Sequence, residues 1–103
     1  MDTFHIGLLY STEGTYRKIG YNALLGARYA IEKVNADDRF QFQLKGHHID
    51  PKGNMDEYIN GAQSLLKQGI KHIVGTITSS ARKEVIPDVH EYQALLWYGS
   101  PYE

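Results

Sequence analysis

Val74-Gly75-Thr76-Ile77-Thr78-Ser79-Ser80-Ala81-Arg82-Lys83 and, further on, Leu95-Leu96-Trp97-Tyr98-Gly99-Ser100-Pro101-Tyr102-Glu103 decide how this sequence is read. Each is an apolar run that passes into a small polar cluster. In an open α/β sheet the ligand collects at the carboxyl ends of the strands, where loops and helix amino termini converge. The pattern therefore points to parallel strands, each followed by a polar loop. The second cluster is also the last thing in the sequence, so the chain is expected to stop at the edge of whatever these residues hold.

Working outward, short apolar runs alternate with helical patterns. Residues 5–10, His5-Ile6-Gly7-Leu8-Leu9-Tyr10, read as a buried strand that ends in the turn Ser11-Thr12-Glu13-Gly14. Over residues 16–34, Ile19, Ala23, Ala27, Ala30, Ile31 and Val34 recur at helical spacing, and Asn35-Ala36-Asp37-Asp38 supplies turn chemistry. Residues 40–45, Phe40-Gln41-Phe42-Gln43-Leu44-Lys45, alternate apolar with polar. Alternation marks a strand with one wet face, so this strand belongs at a sheet edge.

Asn54 is the expected N-cap of a helix over residues 55–68, with Tyr58, Ile59, Ala62, Leu65 and Leu66 on one face and Gly69 as its C-terminal stop. A third strand over residues 72–77 leads to a third helix reaching residue 92, capped by Ser79 or Ser80 and bent at Pro87. Residues 94–98 form the fourth strand. Strand–helix alternation with short links requires right-handed crossovers and parallel pairing. The expected fold is an α/β three-layer sandwich with a parallel sheet in the order 2-1-3-4, a single unit over residues 1–103. The fourth strand then lies at an apolar edge that invites another chain.

Composition narrows the function. With 42% hydrophobic and 22% charged residues, the 103-residue chain is an ordinary globular sequence. Its net charge is −1 and its basic residues are scattered, which argues against a nucleic-acid surface. There is no cysteine, so disulfides and thiolate metal sites are excluded. No run approaches the ~20 apolar residues of a membrane span. The opening residues lack a basic, apolar leader, so a cytoplasmic location is expected for the chain as given, and a periplasmic one if a leader has been removed.

Other residues resolve into plainer readings. His47-His48 with Asp50 could suggest a metal, but neighbours on a strand face opposite ways and cannot easily share one ion. His5, His72 and His90 are scattered in the sequence and read as structural. Arg82-Lys83 fits a solvated helix face. Neither a dinucleotide fingerprint nor a phosphate loop is present, so no cofactor is expected. No carboxylate pair, Ser–His–Asp set or thiol nucleophile is recognisable, and an amidase-like use of Ser79 lacks a base. The expected protein is not an enzyme.

The run Ile6-Gly7-Leu8-Leu9-Tyr10-Ser11 with Gly14, then Gly26-Ala27 and Ala30-Ile31-Glu32-Lys33-Val34-Asn35, resembles the opening of a type I periplasmic-binding-protein fold. Asp50-Pro51-Lys52-Gly53, Val74-Gly75, Ser79, Arg82-Lys83 and Tyr98-x-Ser100-Pro101-Tyr102-Glu103 narrow the resemblance to amide- and urea-binding members of the branched-chain amino-acid receptor family. That family has two lobes around a ligand cleft and includes a cytoplasmic amide sensor. The resemblance implies that this chain is an incomplete N-terminal lobe, related to receptors that serve ABC transporters.

It also implies that Ser79, Ser80, Tyr98, Ser100 and Pro101 are ligand-facing. In that reading Ser79 offers a hydroxyl near helix N–H groups, Tyr98 packs against a small amide, and Ser100 accepts from its NH₂. The family usually has an aromatic residue where this chain has Ile77, and a proline where it has Gly99. Taken without the resemblance, Ser79 and Ser80 serve as helix caps and Tyr98 as a half-buried aromatic. The expected activity is that of a truncated solute-binding domain for an amide, urea or amino-acid-like ligand, weak as a monomer. The alternative is a self-associating module, a homodimer completed across the fourth strand.

Overall fold

A computed structural model describes residues 2–98. Its strands are β1 (Asp2–Leu9), β2 (Phe42–Ile49), β3 (His72–Gly75) and β4 (Leu95–Trp97), and its helices are α1 (Arg17–Ala36), α2 (Met55–Lys67) and α3 (Ser79–Glu91). Every pairing is parallel and the order is β2-β1-β3-β4. The expected topology is the observed one, with the alternating strand at an edge.

Side chains on successive strand residues point to opposite faces. Leu8 and Leu9, both buried, therefore found two separate cores. Leu9 and Ile73 pack with Tyr58, Ala62, Leu65 and Leu66 of α2 and Ala81, Val85 and Val89 of α3. On the other face Leu8 and Tyr10 meet Leu24 of α1, with Ile6, Ala23, Ala27, Ile31 and Val74 around them. Each fully buried Leu contributes about 1.5–3 kcal/mol relative to exposure.

Boundaries differ from the sequence reading for local reasons. The β2 strand begins at Phe42 and continues to Ile49, because β1 offers it a ladder from Asp2↔Phe42 to Leu9↔Ile49. Phe40 falls in a turn, its N–H donating to Asp37 O at 3.1 Å. Asn35 ties α1 to this strand: its Oδ1 accepts from Leu44 N at 2.7 Å and its Nδ2 donates to Leu44 O at 2.9 Å. The third strand stops at Gly75, so residues 76–78 become a loop rather than strand. The helix α3 passes through Pro87 without interruption.

Two caps stand where the sequence placed them. Asn54 Oδ1 accepts from Asp56 N and Glu57 N at 2.9 and 3.3 Å, and Gly69 adopts φ +86° after α2. The third cap does not. Thr78, rather than Ser79 or Ser80, caps α3, its hydroxyl accepting from Ala81 N at 3.2 Å. Three consecutive hydroxyl residues offer the same chemistry, and the extended backbone of Thr78 selects it.

Two glycines of α1 have opposite surroundings. A Cβ on Gly20 would lie 1.9 Å from Ser11 O, whereas one on Gly26 would meet nothing within 4 Å. Alanine in an open helix interior is favoured over glycine by about 0.5–1 kcal/mol. Urea denaturation is expected to show Gly26→Ala stabilised by about that amount and Gly20→Ala destabilised.

Candidate ligand pocket at the carboxyl edge of the sheet

The loops that follow β1, β2 and β3 meet above the carboxyl edge, and two glycines let them touch. Gly14 and Gly53 have φ of +91° and +73°, and a Cβ on either would come within 3.1 Å of the other's Cα. Between these loops lies a cavity of about 200 Å³. Ser11, Gly53 and Tyr58 form its polar side, Ile77 and Ala81 its apolar side, and Thr78 sits at the start of α3. Glu13, Tyr16 and Met55 are exposed at its mouth.

The polar side is fixed by a short chain of hydrogen bonds. Gly53 N donates to Ser11 Oγ at 3.0 Å, and Ser11 Oγ donates to Tyr58 Oη at 2.8 Å. Both side chains are buried, so each bond is made in a medium that penalises its loss. Burial pushes the Tyr58 phenol up from its ordinary value, and the bonds from Ser11 only partly offset this. Tyr58 therefore stays neutral and keeps a proton to donate.

Behind this pair, Asp50 braces the loop after β2 against the loop after β1. Its carboxylate accepts from the Thr12 hydroxyl, from Thr12 N at 3.1 Å and from Lys52 N at 2.9 Å. Burial opposes its ionisation. The bonds from Thr12 and Lys52, with His48 nearby, outweigh that and hold Asp50 below the usual carboxylate range. His48 is itself placed by a contact of 3.0 Å between its Nε2 and Tyr10 O.

The residues singled out from sequence are distributed as follows. Ser79 is the first residue of α3, next to the pocket residue Thr78, and Ser80 is exposed. Tyr98 is half-buried beyond β4; its hydroxyl donates to Ile77 O at 2.8 Å and its ring lies 5.1 Å from the Arg82 guanidinium carbon. Ser100 and Pro101 lie outside the described residues.

The sequence reading did not single out Ser11, Tyr58 or Thr78 as pocket groups. Ser11 looked like a turn residue and Tyr58 like one more member of an apolar helix face. The signal available was the pair Gly14 and Gly53, which marks two loops in close approach.

Comparison with known proteins follows this geometry. The family described as periplasmic binding protein domain matches residues 4–103. The chain superposes on the branched-chain amino acid transporter substrate-binding protein LivJ of Streptococcus pneumoniae, solved with isoleucine. The TM-score is 0.87 at 22% identity, over 96% of this chain and 29% of that one. An amino acid ABC transporter substrate-binding protein from Pseudomonas fluorescens gives TM-score 0.82 at 23% identity, over 95% and 26%. A solute-binding protein from R. palustris, in complex with 4-hydroxybenzoate, gives 0.76 at 20% identity, over 94% and 27%. The chain thus spans less than a third of the length of these solved proteins.

Two variants test the bonding just described. Ser11→Ala leaves Gly53 N–H and Tyr58 Oη without their partner and is expected to cost about 1–3 kcal/mol in chemical denaturation. Asp50 has a folded pKa below its unfolded value of about 3.9. Its stabilisation is therefore present above that value and is lost as pH falls through the folded pKa. Asp50→Asn should be less stable than the parent at neutral pH, and the gap should close on acidification, as read from urea midpoints between pH 7 and pH 3.

Proposed function

This chain belongs to the periplasmic binding protein family, and on that premise we propose that it supplies one wall of a cleft for a small polar solute. The observation that carries the reading is the pocket in which the amino terminus of α3, the Tyr58 hydroxyl and Ile77 converge. Backbone N–H groups of a helix's first turn, together with its dipole, favour an anionic or carbonyl oxygen. Tyr58 gives a second donor, and Ile77 an apolar contact for the ligand's body.

Isoleucine and 4-hydroxybenzoate, bound by the proteins from S. pneumoniae and R. palustris, each join a carboxylate to an apolar body. That chemistry fits the two sides of this pocket. An amide, a urea or an amino acid presents the same oxygen to α3. Within this reading Ser79 lends its backbone N–H at the helix start and Tyr98 steadies the Ile77 carbonyl, while Ser100 and Pro101 are proposed as ligand contacts on the resemblance alone. The role is binding rather than catalysis. Delivery to an ABC transporter and, after export, a periplasmic location go with it.

A cavity of about 200 Å³ is smaller than the ~300–1,000 Å³ usual for an enclosed ligand. A single wall leaves the solute open to water, so the chain alone is expected to bind acetamide, urea or leucine more weakly than about 1 mM. In NMR titrations at tens of millimolar, leucine should shift amides of residues 11–16, 53–58 and 78–82 before others. Shifts scattered over the surface, or sub-millimolar affinity of a monomer by calorimetry, would contradict the proposal.

A second reading has one observation behind it. Leu95 and Trp97 of the edge strand β4 are each 54% exposed. A second copy pairing along that edge would cover them and give a homodimer. Sedimentation at micromolar concentration is expected to give twice the 11.7 kDa chain mass if this holds, and the single-chain mass if it does not.

A further inference from the structure

Sheet pairing brings together two histidines that stand 42 positions apart in the sequence. His5 lies on β1 and His47 on β2. The register sets His47 opposite Gly7, two residues beyond His5, so both imidazoles share one face. Gly7 offers no side chain opposite His47, and the two rings meet instead: His5 Nδ1 is 2.8 Å from His47 Nε2, with centroids 5.0 Å apart. They line a groove of about 170 Å³ with Gln68, Gly69 and Ile70, at the carboxyl end of α2. This is the opposite edge of the sheet from the solute pocket.

We propose that His5 Nδ1 and His47 Nε2 form a two-imidazole chelate for a divalent transition metal of the Cu²⁺ or Ni²⁺ kind. Two nitrogens about 2.0 Å from one ion lie about 2.8 Å apart in square or octahedral geometry and about 3.3 Å apart in tetrahedral geometry. The 2.8 Å between the rings is a hydrogen bond in the metal-free protein. It already holds the two nitrogens at a spacing that square or octahedral Cu²⁺ or Ni²⁺ can bridge once the rings turn their lone pairs to one ion. The groove is open, so water completes the coordination. Gln68, which lines the groove, donates its amide nitrogen to Ser64 O at 3.2 Å. Among the described residues no group of three or more His, Asp or Glu is placed to hold a metal, so the chelate rests on the pair.

Partial burial, then the charges of His5 and Lys45, hold His47 below the ordinary imidazole value. The carbonyl end of α2 carries a partial negative charge and attracts a cation, against the repulsion of Lys45. In the metal-free pair one of the two facing nitrogens carries the shared hydrogen. On binding, that hydrogen moves through water to the distal nitrogen of the same ring, and both lone pairs go to the ion. No proton is lost and nothing is oxidised.

The test uses CuCl₂, NiCl₂ and ZnCl₂ with the unmodified chain. Calorimetry is expected to give one Cu²⁺ per chain, with affinity falling in the order Cu²⁺, Ni²⁺, Zn²⁺. Pulsed EPR of the Cu²⁺ form should count two imidazoles. His5→Gln and His47→Gln should each weaken Cu²⁺ by at least about tenfold, while the exposed His90→Gln leaves it unchanged. A count below two imidazoles on the parent, which needs no variant to fold, overturns the proposal. So does binding by either pair variant at the parent's affinity.

Discussion

The carboxyl half of the central strand β1, from Gly7 to Leu9, is sealed on both faces, and the rest of the structure depends on that. Leu8 and Leu9 are 1% and 0% exposed, although they are neighbours. A strand so placed needs helices on each side, which α1 provides on one face and α2 with α3 on the other. Each crossover that supplies a helix must return to the same sheet in parallel, so every strand ends at the same edge. The loops are then gathered at that edge by necessity. Ser11 is buried there because it leaves β1 directly above the core.

Much of this was legible because apolar runs and helical spacing report burial, and burial follows from the layers. Leu8-Leu9 read as continuous because both faces are covered, and the alternation at residues 40–45 marked an edge. The ends of elements were less legible, since they are set by partners rather than by local residues. The extension of β2 to Ile49 needs the ladder of β1, and no pattern within His47-His48-Ile49 announces it. Likewise His5 and His47 looked unrelated, because proximity across strands is fixed by register.

The site divides the same way. That polar loops would follow β1 and β3 was evident from composition. Which hydroxyl does what was not. Thr78, Ser79 and Ser80 carry the same functional group, and only the backbone of Thr78, extended at φ −94° and ψ 152°, decides the cap. Tyr58 sits at an apolar position of α2 because its ring belongs to the core, while its oxygen reaches the pocket. A pattern of hydropathy records the ring and is silent on the oxygen.

The pocket's two sides differ in how firmly they are held, and this bears on what binding must supply. Ser11, Gly53 and Tyr58 are linked to one another and to a buried core, so the Tyr58 hydroxyl is held in place as the donor on that side. Little ordering is left to offset on that side. The Ile77–Thr78 side hangs from shorter-range ties: the Thr78 cap to Ala81, and the Tyr98 hydroxyl to Ile77 O. Tyr98 stands just past the edge strand β4, whose Leu95 and Trp97 face solvent. The steadiness of the α3 amino terminus is thereby linked to the edge of the sheet. A group packed on that edge would act on the same Ile77–Thr78 loop that lines the pocket.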